Sequence, residues 1–157
     1  MGSSLIIDNS FENLNIESLK IGVVQSEWNS NITDMLMSSC LNYFLELGIK
    51  KNNLIIRKVP GSMELVYGSN HMFQNHNVDG IVALGCIIKG ETDHDKYIAG
   101  AISNGILSVS LKNKKPISFG VLTTNNIKQA IARSGGNKGD KGMESAYTLL
   151  KMLNLNY

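Results

Sequence analysis

The sequence predicts an α/β fold in three layers, with a four-stranded parallel sheet held between helices. Three observations carry this. Four short apolar runs, at 20–25, 54–59, 79–88 and 116–122, recur along the chain. Each is followed by a stretch whose apolar residues repeat at helical spacing. Each also ends on turn or capping residues, at 26–31, 60–62, 90–92 and 123–126. Strand–helix alternation of this kind builds right-handed crossovers, and so a parallel sheet covered on both faces.

In order along the chain, residues 1–18 are polar and unpatterned, with apolar touches at Leu5, Ile6, Ile7, Leu14 and Ile16. They read as an arm ordered only by packing on something else, ahead of one domain at 19–157. The run 20–25 is the first core strand. From Ile32 a helix follows, with Met35, Leu36, Cys40, Tyr43, Phe44 and Leu47 on one face and Gly48 as its stop. The second strand, 54–59, is closed by Pro60-Gly61, and Ser62 is expected to cap the next helix through Met72. The third strand, 79–88, precedes a helix over 90–111. The fourth, 116–122, leads to a short helix ending at Arg133. A Gly- and Lys-rich loop, 134–142, then precedes a last helix from Met143 to Leu153.

Composition narrows the function. A chain of 157 residues can bury a real core as a single domain. Fifteen Lys and Arg against thirteen Asp and Glu leave only +2, with no basic run to meet a nucleic acid. Cys40 and Cys86 stand in apolar settings without a Cys-x-x-Cys or His/Cys cluster, so they read as buried thiols in a reducing cytoplasm, with no metal site. No stretch is long enough to span a membrane, and no signal-peptide pattern opens the chain.

The chemistry gathers at 85–97. A strand ends at Gly85-Cys86-Ile87-Ile88-Lys89, a glycine follows, and Thr92-x-x-Asp95 resembles a helix cap with His94 one turn in. Strand, glycine and helix start leave backbone N–H groups free for an anion at 90–92, and a histidine beside them can move protons at neutral pH. Many α/β proteins share a strand–Gly–Thr helix start, and a first-turn histidine is often only solvated. Other candidates are equally two-sided. Trp28 either plugs a gap or stacks on a planar ligand. Glu64 either complements a helix dipole or faces a ligand at a strand end. The 134–142 loop is either a linker or, flanked by Arg133 and Lys141, an anion contact. His71 and His76, at the end of a helix, carry no expected role.

Five ordered motifs narrow these choices. They are Trp28-Asn29-x-x-Ile32-Thr33, Val59-Pro60-Gly61-Ser62-Met63-Glu64, Ala83-Leu84-Gly85-Cys86-Ile87-Ile88-Lys89-Gly90-Glu91-Thr92-x-His94, Phe119-Gly120-Val121-Leu122-Thr123-Thr124 and Gly139-x-Lys141-Gly142. Together they closely resemble the lumazine synthase family, from about residue 20 to 153. The resemblance implies a flavodoxin-like sheet and a cofactor-free condensation of 5-amino-6-(D-ribitylamino)uracil with 3,4-dihydroxy-2-butanone 4-phosphate to 6,7-dimethyl-8-ribityllumazine. It places Trp28 on the pyrimidine, with Asn29 supporting, and Ser62, Met63 and Glu64 along the ribityl chain. Main-chain groups of Cys86, Ile87 and Ile88 would read the uracil edge, so the thiol need not react. Glu91 and Thr92 would hold phosphate through N–H groups, and His94 would be the catalytic acid and base. Phe119 and Arg133 match residues that a neighbouring subunit contributes, with Lys141 on the same wall.

The resemblance further implies a homo-oligomer of pentamers. The short 133–141 connection favours a shell of twelve, the arm adding a strand to a neighbour's sheet, and riboflavin synthase is the partner enzyme it allows. Three positions depart from the family pattern. Asp95-Lys96 replaces an aromatic-Asp pair, Asp140 stands where Asn is commoner, and Trp28 replaces Phe.

Overall fold

The structure, a computed structural model, describes residues 7–155. Its elements in chain order are β1 (Ile21–Ser26), α1 (Ser30–Glu46), β2 (Leu54–Val59), α2 (Leu65–Asn75), β3 (Gly80–Ile88), α3 (His94–Asn113), β4 (Ile117–Thr124), α4 (Ile127–Arg133), β5 (Ser134–Gly136), β6 (Gly139–Asp140) and α5 (Lys141–Leu153). The four long strands form a parallel sheet in the order β2-β1-β3-β4. Two helical layers cover it, and the fold is the expected three-layer, flavodoxin-like one.

The strands read as apolar runs because both faces are buried. Ile21, Val23, Val82 and Leu84 turn to one face, where they meet Leu36, Phe44, Leu149 and Leu150 of α1 and α5. Val24, Ile81 and Ala83 turn to the other, against Met72, Ile102 and Ile106 of α2 and α3. The period of two along each strand thus feeds two separate cores.

Several boundaries differ from the expected ones. α2 begins at Leu65 rather than Ser62, because Ser62 is buried in the preceding turn and caps nothing. α3 begins at His94, with Asp93 at its cap position and no side-chain cap, so the Thr92–Asp95 box is not made. Lys89 N–H instead donates to Thr124 C=O at 2.8 Å, which keeps the chain extended beyond β3. The expected loop at 134–142 contains the β5–β6 hairpin. Asp140 fastens it by accepting from Ser39 Oγ at 2.6 Å and from Met143 N–H at 3.1 Å, which also starts α5 two residues early.

The arm packs on its own chain from residue 7 onward. Phe11, only 6% exposed, stands edge-on to Tyr147 at 6.2 Å. Lys151 Nζ lies 5.2 and 5.5 Å above these two rings. Tyr43 Oη donates to Asn9 Oδ1 at 2.6 Å. The added strand was expected of the arm as a whole, 1–18, and the first six of these residues lie outside the described ones. Removing the Phe11 ring should therefore cost about 3 kcal/mol of stability. Urea unfolding of Phe11→Ala at fixed protein concentration measures it; a change below about 0.5 kcal/mol would show that the arm does not belong to the core.

Candidate functional site

A cavity of about 700 Å³ opens at the C-terminal ends of β1, β2 and β3, where open α/β sheets place ligands. Trp28 and Asn29 enter it from the exit of β1, and Ser62, Met63 and Glu64 from the turn after β2. Cys86, Ile87 and Ile88 form its floor at the end of β3. Gly90, Thr92 and His94 close the far side, continued along α3 by Asp95, Tyr97, Ile98 and Ala101.

Short contacts hold these pieces in place. Asn29 adopts the left-handed conformation, φ 59° and ψ 42°, at the start of α1. Its side chain does not cap that helix; Nδ2 donates to Cys86 C=O at 3.0 Å and ties the exits of β1 and β3 together. Trp28 N–H donates to Pro60 C=O at 3.0 Å, which sets the tryptophan beside the β2 exit. Gly61 N–H donates to Glu64 Oε2 at 2.9 Å. The Glu64 carboxylate is thus engaged with the turn before α2 while it also lines the cavity. A Cβ on Gly61 would lie 2.9 Å from Glu64 Oε2 and 3.1 Å from the Trp28 ring. A Cβ on Gly85 would lie 2.8 Å from Ser62 Oγ. Both glycines permit a close approach that any side chain would spoil.

Trp28 does not plug a gap. It is 70% exposed at the cavity mouth, with Tyr97 exposed on the opposite wall. The Cys86 thiol is lifted by burial from 9.0 to about 11. At pH 8 it is therefore neutral, the form that does not attack carbon. His94 is the first residue of α3 and exposed towards the cavity.

Of the residues singled out from sequence, Trp28, Asn29, Ser62, Met63, Glu64, Cys86, Ile87, Ile88, Thr92 and His94 meet here. Glu91 is exposed beside the cavity without lining it. Phe119, Arg133 and Lys141 also stand outside it. Phe119 is exposed on β4, Arg133 ends α4 with Nη1 donating to Gln129 C=O, and Lys141 Nζ donates to Glu144 Oε2 at 2.7 Å. Among the described residues no lysine or arginine lines the cavity, whereas two carboxylates, Glu64 and Asp95, do. Sequence reasoning missed Asp95, Tyr97, Ile98 and Ala101 as walls. With His94 they stand at i, i+1, i+3, i+4 and i+7 on α3, one helical face that would have disclosed them.

A flavodoxin-like sheet with a ligand cavity at its strand ends, an aromatic mouth and a histidine on a helix start defines an α/β enzyme acting on a planar, polar small molecule. The comparisons narrow this class. A sequence model of the 6,7-dimethyl-8-ribityllumazine synthase family matches residues 18–157. Proteins of that name from Cytophaga hutchinsonii and Porphyromonas gingivalis are 46% and 42% identical over 139 residues, 88% of this chain and 87% and 86% of theirs. One from Bacteroides fragilis is 39% identical over 135 residues, 86% of this chain and 94% of its own. The chain belongs to the 6,7-dimethyl-8-ribityllumazine synthase family.

Two outcomes follow from the geometry. Gly61→Ala should push Trp28 and Glu64 apart and weaken binding of a ribityl-bearing heterocycle about tenfold, read as quenching of the single tryptophan; unchanged quenching would show that the turn yields freely. Iodoacetamide at pH 8 should alkylate Cys86 about a hundredfold more slowly than a free thiol, as followed by peptide mass. Labelling at the free-thiol rate would contradict its burial.

Proposed function

We propose that the cavity condenses 5-amino-6-(D-ribitylamino)uracil with 3,4-dihydroxy-2-butanone 4-phosphate to 6,7-dimethyl-8-ribityllumazine, the penultimate step of riboflavin biosynthesis, as a cofactor-free transferase. One observation carries the reading: ten of the residues that the family resemblance singles out surround one cavity at the switch between β1 and β3.

In this assignment Trp28 stacks on the pyrimidine, with Asn29 holding the β1 exit behind it. Ser62, Met63 and Glu64 hold the ribityl hydroxyls, the Glu64 oxygen not bonded to Gly61 being free to accept. Main-chain groups of Cys86, Ile87 and Ile88 read the uracil edge. The loop before α3 presents N–H groups at Glu91 and Thr92 to the phosphate. The 5-amino group of the uracil attacks the ketone and water leaves to give a Schiff base. Phosphate is eliminated, the resulting enol becomes a ketone, and the ribityl-bearing nitrogen closes the ring with loss of water. His94 is placed to take and return protons in these steps. Holding two intrinsically reactive groups together supplies much of the acceleration.

The cavity lacks a cation for the phosphate, and this supports a site shared between copies. Arg133 and Lys141 of a second copy bring positive charge, and its Phe119 covers the heterocycle. The assembly is a pentamer, and a shell of twelve pentamers is the form favoured, with the arm adding a strand to a neighbouring sheet. The protein works in the cytoplasm, where riboflavin synthase takes the lumazine onward.

Purified protein mixed with both substrates should form lumazine, followed optically, well above the uncatalysed background. Arg133→Ala should raise KM for the phosphate substrate about tenfold to a hundredfold and leave that for the uracil nearly unchanged; a change confined to the uracil would remove Arg133 from the phosphate. His94→Ala should slow turnover by about two orders of magnitude without abolishing it. Complete loss would show that proximity contributes little. A single species of pentamer mass in sedimentation would rule out the shell.

A further inference from the structure

We propose that Asp95 is a specificity residue of this cavity: its carboxylate, unpaired with any described side chain, opposes the phosphate group and keeps phosphate binding weak. The inference rests on the phosphate assignment above. Asp95 lines the cavity together with Thr92 and His94, in the first turn of α3. Its Oδ1 is wholly covered and has no hydrogen-bond partner among the described residues. Its neighbour Lys96 does not neutralise it, because Lys96 Nζ is turned to Asp93 Oδ1 at 3.0 Å, on the exposed side. The other carboxylate in the cavity, Glu64, accepts a hydrogen bond from Gly61 N–H. Asp95 is thus an acidic group of the cavity that no side chain among the described residues pairs with, although it stands in the first turn of α3.

The consequence is electrostatic. Thr92 and Asp95 line the same cavity, so a phosphate held at the 90–92 loop shares it with this carboxylate. In a partly closed cavity two negative groups are screened less than on an open surface. Bound phosphate is therefore destabilised relative to phosphate in water, both as part of the substrate and after elimination. The effect is that of this chain's own carboxylate. Its use is release: the eliminated phosphate leaves a cavity that repels it, while the cations of a second copy keep the esterified form bound long enough to react.

The test measures inorganic phosphate, both as an inhibitor of lumazine formation and in direct binding by equilibrium dialysis, on the wild-type assembly and three variants. Asp95→Asn, which keeps the shape, should bind phosphate about three- to tenfold more tightly and lower KM for the phosphate substrate by a similar factor. KM for the uracil should stay within about twofold. Asp95→Glu restores the charge and should bind phosphate as the wild type does. Asp93→Asn removes one negative charge from the exposed side and should also match the wild type. Unchanged phosphate affinity in Asp95→Asn overturns the proposal. So does equal tightening in Asp93→Asn, which would trace the effect to net charge, and so does weaker binding in Asp95→Asn, which would make Asp95 part of the phosphate grip. Should Asp95→Asn lose its fold, seen as a lowered melting temperature, Asp95→Ser is read in its place: tighter phosphate binding there upholds the proposal and unchanged affinity refutes it. A wild-type protein that forms no lumazine and holds no phosphate refutes the functional reading itself and Asp95 with it. Active wild type with an indifferent Asp95→Asn refutes only the role of Asp95.

Discussion

The order β2-β1-β3-β4 is the constraint from which the site follows. Strands β1 and β3 lie side by side and parallel, yet the chain leaves them in opposite directions. From β1 it goes to α1 on one face, and from β3 to α3 on the other. Two helices diverging from adjacent strand ends necessarily open a crevice between them. The hydrogen bond from Asn29 to Cys86 C=O crosses that crevice at its base and fixes its width. Asn29 takes up a left-handed backbone for this purpose, which asparagine tolerates better than most residues. The side chain leaves the helix start uncapped and serves the crevice instead.

The crevice is chemically one-sided within a single chain. It offers aromatic surface, main-chain groups, a histidine and two carboxylates, but no lysine or arginine. The cations Arg133 and Lys141 are held elsewhere by Gln129 C=O and Glu144, on elements that follow β4. On the reading proposed above, a phosphate bound in the crevice would take its counter-charge from another copy, and catalysis would be coupled to assembly. Attraction and the proposed repulsion at position 95 would then come from different chains.

Much of this was legible in the sequence. Apolar runs and helical spacing located all four strands and five helices, because burial on both sheet faces leaves an unmistakable pattern at 21–24 and 81–84. Motif order brought ten cavity residues into view. What stayed hidden were helix starts. Thr92 and Ser62 are good capping residues by type, but Lys89 is pulled to Thr124 and Ser62 is packed against Gly85, so both helices begin two or three residues later. Tertiary contacts outweighed local propensity there. Asp95 was read from the sequence as a cap residue and as a departure beside His94, not as a wall of the cavity. Phe11 was also missed, because a lone aromatic in a polar segment has no period to betray it. The β5–β6 hairpin escaped for a similar reason: its fastening, Asp140 to Ser39, joins residues far apart in the chain.

The tie at Phe11 and Asn9 joins the two ends of the domain. It holds the segment ahead of β1 against α1 and, through Tyr147, against the last helix of the chain. The order of that segment thus depends on an element made last: a change in α5 that displaces Tyr147 would loosen the opposite end of the protein.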